Sequence, residues 1–171
     1  WAIDPTHSEI GFKVKHMMFT NVSGKFGTYE ANIATEGDDF TKSNIEFSAD
    51  INSVDTNNSD RDNHLKSGDF FDAESHPKMI FKSASLTKVD DENYELTGDL
   101  TFKGITKTVK LPAEVSPVMK DPWGNSKIGL NIFGKINRKD WGLNWNSALE
   151  TGGVLVGEEV KLNIELQLVK Q

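Results

Sequence analysis

A chain of 171 residues with 36% apolar and 26% charged residues has the composition of one modest globular unit, and no apolar run is long enough to cross a bilayer as a helix. Its 26 acidic residues against 19 basic ones give a net charge of −7 with no basic cluster, which argues against nucleic acid as a partner. The absence of cysteine excludes disulfides, thiolate metal sites and thiol nucleophiles, and a start on Trp1 leads us to expect a removed N-terminal segment, a signal peptide or one trimmed by design.

From Glu9 to His16 apolar and polar residues alternate, with Ile10, Phe12, Val14 and His16 on one face and Lys13 and Lys15 on the other, the period of a half-buried strand. A weaker strand candidate covers Gly24–Ile33, and a short helix is expected near Thr41, Lys42, Ser43 and Asn44. Ile45, Phe47, Ala49 and Ile51 resume the period of two. Asn57 to Gly68 reads as the main helix, with Ser59 and Asp62 as a capping box, Asp62 paired to Lys66 and Gly68 as the stop. Leu65 is its single large apolar residue, so this helix has no stripe to bury and belongs across one end of the fold, anchored by Phe70 and Phe71.

Further strands follow at Met79–Leu86, at Tyr94–Phe102, at Val109–Val115, at Ile128–Ile136 and at Val160–Leu168. The connections are polar turns: Asp90 to Asn93, a tight hairpin at Lys103 to Thr106, and a longer one from Lys120 to Asn125. Adjacent strands should pair antiparallel. Several runs approach ten residues, about 33 Å at roughly 3.3 Å per residue. About eight long strands with one apolar face each close most simply as an all-β, eight-stranded antiparallel barrel with short helices at its ends, wide enough for one small ligand. A two-sheet sandwich is the rival, and it favours shorter strands. No linker or repeat divides the chain, so residues 1–171 are read as one domain.

Four histidines invite a metal reading, yet none shows the spacing of a zinc or calcium motif, and no metal or cofactor is expected. Ser67, His64 and Asp62 have the residue types of a hydrolytic triad but lie too close in sequence to face one another on a helix, and no nucleophile elbow accompanies them. No catalytic residue is therefore assigned. Arg61 beside Asp62, and Arg138 near Asp140 and Trp141, are the chain's two arginines, and both read as structural forks. His16 stands apart, because an imidazole on an inward face needs a hydrogen-bond partner from protein or ligand. Ala49, Gly98 and Ala113 at inward positions leave room for an apolar guest.

Seven blocks carry a resemblance along the chain: Trp1 to His16, Val22 to Phe26, Arg61 to Phe71, His76 to Phe81, Gly98 to Gly104, Asn137 to Leu143, and Gly157 to Val160. In this order they closely resemble the YceI-like family. The resemblance implies a lipocalin-like barrel with a long apolar pore, in exported periplasmic or secreted proteins that bind polyisoprenoids or other long-chain amphiphiles, without metal or established catalytic residues. It makes His7, Ser8, the inward His16, the block of Arg61, Asp62, His64 and Leu65, and the pair Arg138 and Asp140 fold-defining rather than catalytic.

The expected function is thus to carry or sequester a polyisoprenoid, isoprenoid quinone or fatty-acid derivative, with no stable membrane insertion and with a homodimer left open. Parity assigns Phe12, Val14, Phe47, Ile51, Leu100, Phe102, Leu111, Ile132 and Ile164 to the tail, with His16 and Trp141 near the head. The alternatives are an enzyme using Asp62 and His64 or Arg138 and Asp140, and a filled barrel whose loops near Trp123 or Trp145 bind a partner.

Overall fold

The computed structural model describes residues 1–150 and 152–171. Twelve strands follow in chain order: β1 (Ala2–Ile3), β2 (Glu9–His16), β3 (Thr20–Phe26), β4 (Tyr29–Glu36), β5 (Asp39–Asp50), β6 (Val54–Asp55), β7 (Lys78–Lys88), β8 (Asn93–Phe102), β9 (Ile105–Val115), β10 (Met119–Lys120), β11 (Ser126–Asn137) and β12 (Val156–Val169). One α-helix, α1 (Ser59–Lys66), and three 3-10 turns at Pro5–His7, Ile51–Ser53 and Arg138–Trp141 complete the described elements.

The strands form one antiparallel sheet in the order β4-β5-β7-β8-β9-β11-β12-β2-β3-β6, with β1 added beside β12 and β10 beside β11. The last long strand pairs with the first: Ile164 lies opposite Ile10 and Leu162 opposite Phe12. The sheet rolls but does not close, so the eight-stranded closed barrel expected from the sequence is corrected to a twelve-stranded open one.

The break falls between β3 and β4, which are neighbours in sequence yet form no ladder with each other among the described residues. Beside the Gly27-Thr28 link the Ile51–Ser53 turn provides other partners: the Gly27 N–H donates to the Ser53 carbonyl at 3.2 Å, and the Asp50 N–H to that of Thr28 at 2.9 Å. Val54 then pairs with Phe26 as β6, covering the β3 edge. On the other edge the Trp1 ammonium donates to the Ile33 carbonyl of β4 at 2.9 Å, and the Trp1 indole to Thr35 Oγ1 at the same distance. Edges capped in this way no longer offer a free row of donors and acceptors to each other.

Alternation builds the core as the sequence pattern implies: Leu96, Leu100 and Phe102 of β8, and Val109, Leu111, Ala113 and Val115 of β9, are buried. The β8–β9 hairpin turns through Lys103 and Gly104, both at positive φ (50° and 73°), the two-residue geometry that matches strand twist. The helix expected near Thr41–Asn44 is absent; these residues lie inside β5, whose buried Phe40 and Ile45 place them in an extended register.

One end of the rolled sheet is plugged. Trp1 packs on Phe40 with ring centroids 5.2 Å apart, above buried Ile33 and Leu168. The other end carries α1, which is held by hydrogen bonds instead of an apolar stripe. Asn58, not Ser59, caps it, its side chain accepting from the Arg61 N–H at 2.9 Å. Asp62 is withdrawn from the expected pairing with Lys66 because it accepts from the Thr56 N–H at 2.9 Å and hydroxyl at 2.6 Å. Arg61 donates to the same Thr56 through Nε (2.8 Å, to Oγ1) and Nη2 (2.6 Å, to the carbonyl).

Candidate functional site

The rolled sheet encloses a cavity of about 520 Å³ whose walls are almost wholly apolar. This is within the usual size range of small-molecule sites. Phe12 and Val14 of β2, Phe47 of β5, Leu100 and Phe102 of β8, Leu111 of β9, Ile132 of β11 and Ile164 of β12 all line it, as does His16. Ile51 and Trp141 do not. Ile51 follows the β5 parity in sequence, but the strand ends at Asp50, and Ile51 starts a 3-10 turn with its N–H bonded to the Pro77 carbonyl at 2.9 Å. Trp141 is 1% exposed and lies outside the cavity wall, stacked on Phe102 at 4.8 Å with its indole N–H donating to the Leu100 carbonyl at 2.9 Å.

The room inside does not come from the small residues suggested by the sequence. A methyl at Gly98 would strike the Phe81 ring and stand 2.5 Å from the Lys82 carbonyl oxygen, so a neighbouring strand's aromatic ring already covers that position. Gly24 likewise lies under the ring of Phe12. Ala49 and Ala113 are buried but outside the wall. The void reflects the curvature of the sheet, with half-buried Val14, Val160, Leu162 and Ile164 lining it, the last two also packed against the core. Parity marked these positions as inward; it could not tell filled from empty.

Among the described residues, polar side chains reach the cavity at one end only. Lys15, His16, Thr56, Asp60, Arg61, His64 and Arg138 belong to or adjoin the α1 end, where Trp145 and Phe70 also line the wall. Phe70, His64 and Trp145 form an aromatic cluster: the His64 ring is 5.0 Å from Phe70 and 4.7 Å from Trp145, edge-on to both. Phe70 was legible as an anchor and Trp145 as a loop feature, but their meeting at the cavity mouth depends on a long-range contact. The His16 ring has no hydrogen-bond partner among the described residues.

The two neighbourhoods considered for catalysis are occupied otherwise. His64 Nε2 lies 2.9 Å from Asp69 Oδ2, while the Ser67 hydroxyl donates to the His64 carbonyl at 2.6 Å, leaving no serine–imidazole relay. Asp62 is engaged by Thr56, as above. Arg138, 4% exposed, donates through Nε to the Gly157 carbonyl (2.8 Å), through Nη1 to those of Leu143 (2.6 Å) and Trp145 (2.9 Å), and through Nη2 to that of Val156 (3.2 Å). It pins the chain around the register shift between Val156 and Val160, a bulge in the β12–β2 ladder. Burial lowers its pKa, against a raising influence from Glu158. Asp140 is exposed and forms no ion pair with it. No group of three or more metal-ligating side chains occurs among the described residues.

Comparison with known proteins matches this geometry to a family. The model of the YceI-like domain covers residues 1–168. The UPF0312 protein SA2479 of Staphylococcus aureus (strain N315) is 42% identical over 164 residues, 94% of this chain and 92% of the relative. Among solved structures, the YCEI protein of Campylobacter jejuni is 34% identical with a TM-score of 0.79, covering 100% of this chain and 98% of its own. A polyisoprenoid binding domain from Saccharophagus degradans has the same fold at a TM-score of 0.76, with 15% identity over 99% of this chain and 98% of that one. With the family model matching residues 1–168 and a relative of this identity over nearly its full length, the chain belongs to the YceI-like family.

Proposed function

We propose that this protein binds and carries a long-chain apolar amphiphile in the cavity of its rolled sheet, the tail among the apolar residues and the head toward the α1 end. The candidate ligands are polyisoprenoids, isoprenoid quinones and fatty-acid derivatives. The carrying observation is the asymmetry of the cavity: among the described residues, apolar along its walls and polar only at the mouth. The driving force is apolar area removed from water, about 0.8 kcal/mol for each methylene that enters.

Nine of the eleven residues assigned from sequence line the cavity and would meet such a ligand on this reading, while Ile51 and Trp141 lie outside the wall. The Saccharophagus degradans domain, which has this fold, is a polyisoprenoid binding domain. Membership in the YceI-like family makes a periplasmic or secreted location the expected one. No described helix is long and apolar enough to cross a membrane, and the net charge of −7 supports a partner other than nucleic acid.

The reading is tested by titrating the protein, without vesicles, with a pyrene-labelled hexadecanoic acid and displacing it with unlabelled isoprenoid alcohols and quinones. Saturation near one molecule per chain is expected, with weaker uptake in Ala31→Phe, which projects a ring from the wall into the void. Absence of saturable uptake across all these ligands would overturn it.

A further inference from the structure

The loop joining β2 to β3 is three residues long, Met17-Met18-Phe19, between the paired His16 and Thr20. Its residues are 41%, 61% and 79% exposed, and Val154, next in sequence to the Gly153 that abuts Met18, is 39% exposed. Two features make this more than ordinary surface. Met17 and Met18 stand at φ of 49° and 65°, in the left-handed region that Asn and Gly occupy at little cost and long apolar side chains rarely do. A sequence selected only for a tight turn would place those smaller residues there. The tip is also continuous with the cavity mouth: the Met17 N–H donates to the Leu155 carbonyl at 2.8 Å, and Leu155 and His16 both line the cavity. Gly153 abuts the Met18 side chain.

We propose that Met17, Met18, Phe19 and Val154 insert into the surface of a lipid bilayer and hold the cavity mouth against it, so that the ligand passes between membrane and cavity without crossing bulk water. The inference rests on the carrier reading above. A long-chain amphiphile leaving a bilayer through water exposes its whole apolar area at once, and an apolar fingertip at the mouth of an apolar cavity removes that step. The bilayer is favoured as occupant because the polar rim of the cavity and this exposed apolar tip lie at the same end, where a membrane would present head groups outside and chains within. Attraction by charge is not the basis, since the chain carries −7 overall. Binding should therefore persist at high salt.

The protein supplies its own control. Val118, Met119 and Trp123 form another exposed apolar group, with Met119 67% and Trp123 83% exposed. It sits on the β10 hairpin at the plugged end, since Met119 pairs with Lys127, Lys127 with Val169, and Val169 with Ala2. By this account it has no part in transfer.

The experiment loads phosphatidylcholine vesicles with the pyrene-labelled hexadecanoic acid and follows transfer to unlabelled acceptor vesicles. Wild-type protein, the Met17→Ser/Met18→Ser/Phe19→Ser variant, Phe19→Ser alone and Met119→Ser/Trp123→Ser are compared at low and high salt. A vesicle-free titration reads the cavity of each, and light scattering reads its mass. The expected result is a wild-type rate that rises with acceptor concentration, and about a tenfold or larger fall in the triple variant, the scale set when even one large apolar side chain no longer leaves water. Phe19→Ser should fall in the same direction, with vesicle-free uptake and the plugged-end variant unchanged. A rate independent of acceptor concentration, equal rates in all variants, or a tip that proves to join two copies of the chain would overturn the proposal while leaving the cavity reading intact. Failure of wild-type protein to take up the probe without vesicles would instead sink the carrier reading, and this one with it.

Discussion

Replacing Arg138 by methionine separates a structural pin from a ligand contact. The guanidinium makes four hydrogen bonds, all to main-chain carbonyls of the 143–157 region, and is 4% exposed. Each bond from a charged donor is worth about 1.5–3 kcal/mol net, while relief of the buried charge returns several kcal/mol. The two do not cancel, because methionine fills the volume but leaves the carbonyls of Leu143, Trp145, Val156 and Gly157 without this donor. A net loss of about 2–4 kcal/mol is expected, the four carbonyls each losing a donor at about 1 kcal/mol or more, offset in part by relief of the buried charge. The assay is urea denaturation followed by tryptophan emission, with hydrogen exchange resolved to segment 142–157. The midpoint should fall, and exchange should rise first in that segment, whereas β8 and β9 keep their protection below the transition. An unchanged midpoint with unchanged exchange would refute the pin.

Other expectations follow from the same geometry. Gly98→Ala should destabilise by about 1–3 kcal/mol or more, because its methyl meets the Lys82 main chain as well as Phe81, while Gly129→Ala, whose nearest contact is 3.6 Å, should cost well under 1 kcal/mol by the same denaturation assay; equal costs would contradict the packing described. In a homologous series of ligands, affinity should rise about fourfold per added methylene and level off once the cavity of about 520 Å³ is full, so calorimetry showing no dependence on chain length would place the ligand outside. The pKa values of Asp4, Asp39, Asp90, Asp121 and Glu158 are lowered, in each case chiefly by side-chain hydrogen bonds, from Thr6, Thr41, Asn93, Asn125 and Lys139 respectively. Carboxylates lowered on folding stabilise the protein above their unfolded values near 4, and this is lost as pH falls through and below that point. Thermal melts should therefore be flat in this respect from pH 7 to pH 5 and drop below about pH 4; a rise in midpoint on acidification through that window would count against these hydrogen bonds.

Much of the sheet was legible because period-two alternation is a local property. Glu9–His16, Tyr94–Phe102 and Val160–Leu168 fall within β2, β8 and β12, and the Lys103-Gly104 turn declared its geometry in two residues. What was not legible depends on distant partners. Gly24–Ile33 reads as one weak strand, and only the Ser53 and Thr28 carbonyls, acting on Gly27 and Asp50, show why it divides into β3 and β4 and leaves the sheet open. Ile51 obeyed the parity of β5 and still missed the cavity, because parity has no meaning once a strand passes into a 3-10 turn. Trp141 was misplaced for a similar reason, its ring fixed by a hydrogen bond to Leu100, forty-one residues away in sequence. The sequence also shows which side chains face inward without showing whether they touch one another. That distinction is set by curvature, and it decides whether the protein is a solid core or a container.

Container and core are told apart most directly by native mass spectrometry of the purified protein, followed by organic extraction and identification of whatever is released. The account predicts a single long-chain amphiphile per chain, or, in protein stripped of ligand, uptake of one such molecule when isoprenoids, quinones and fatty-acid derivatives are offered in excess. A protein that emerges empty and stays empty under that excess would contradict it.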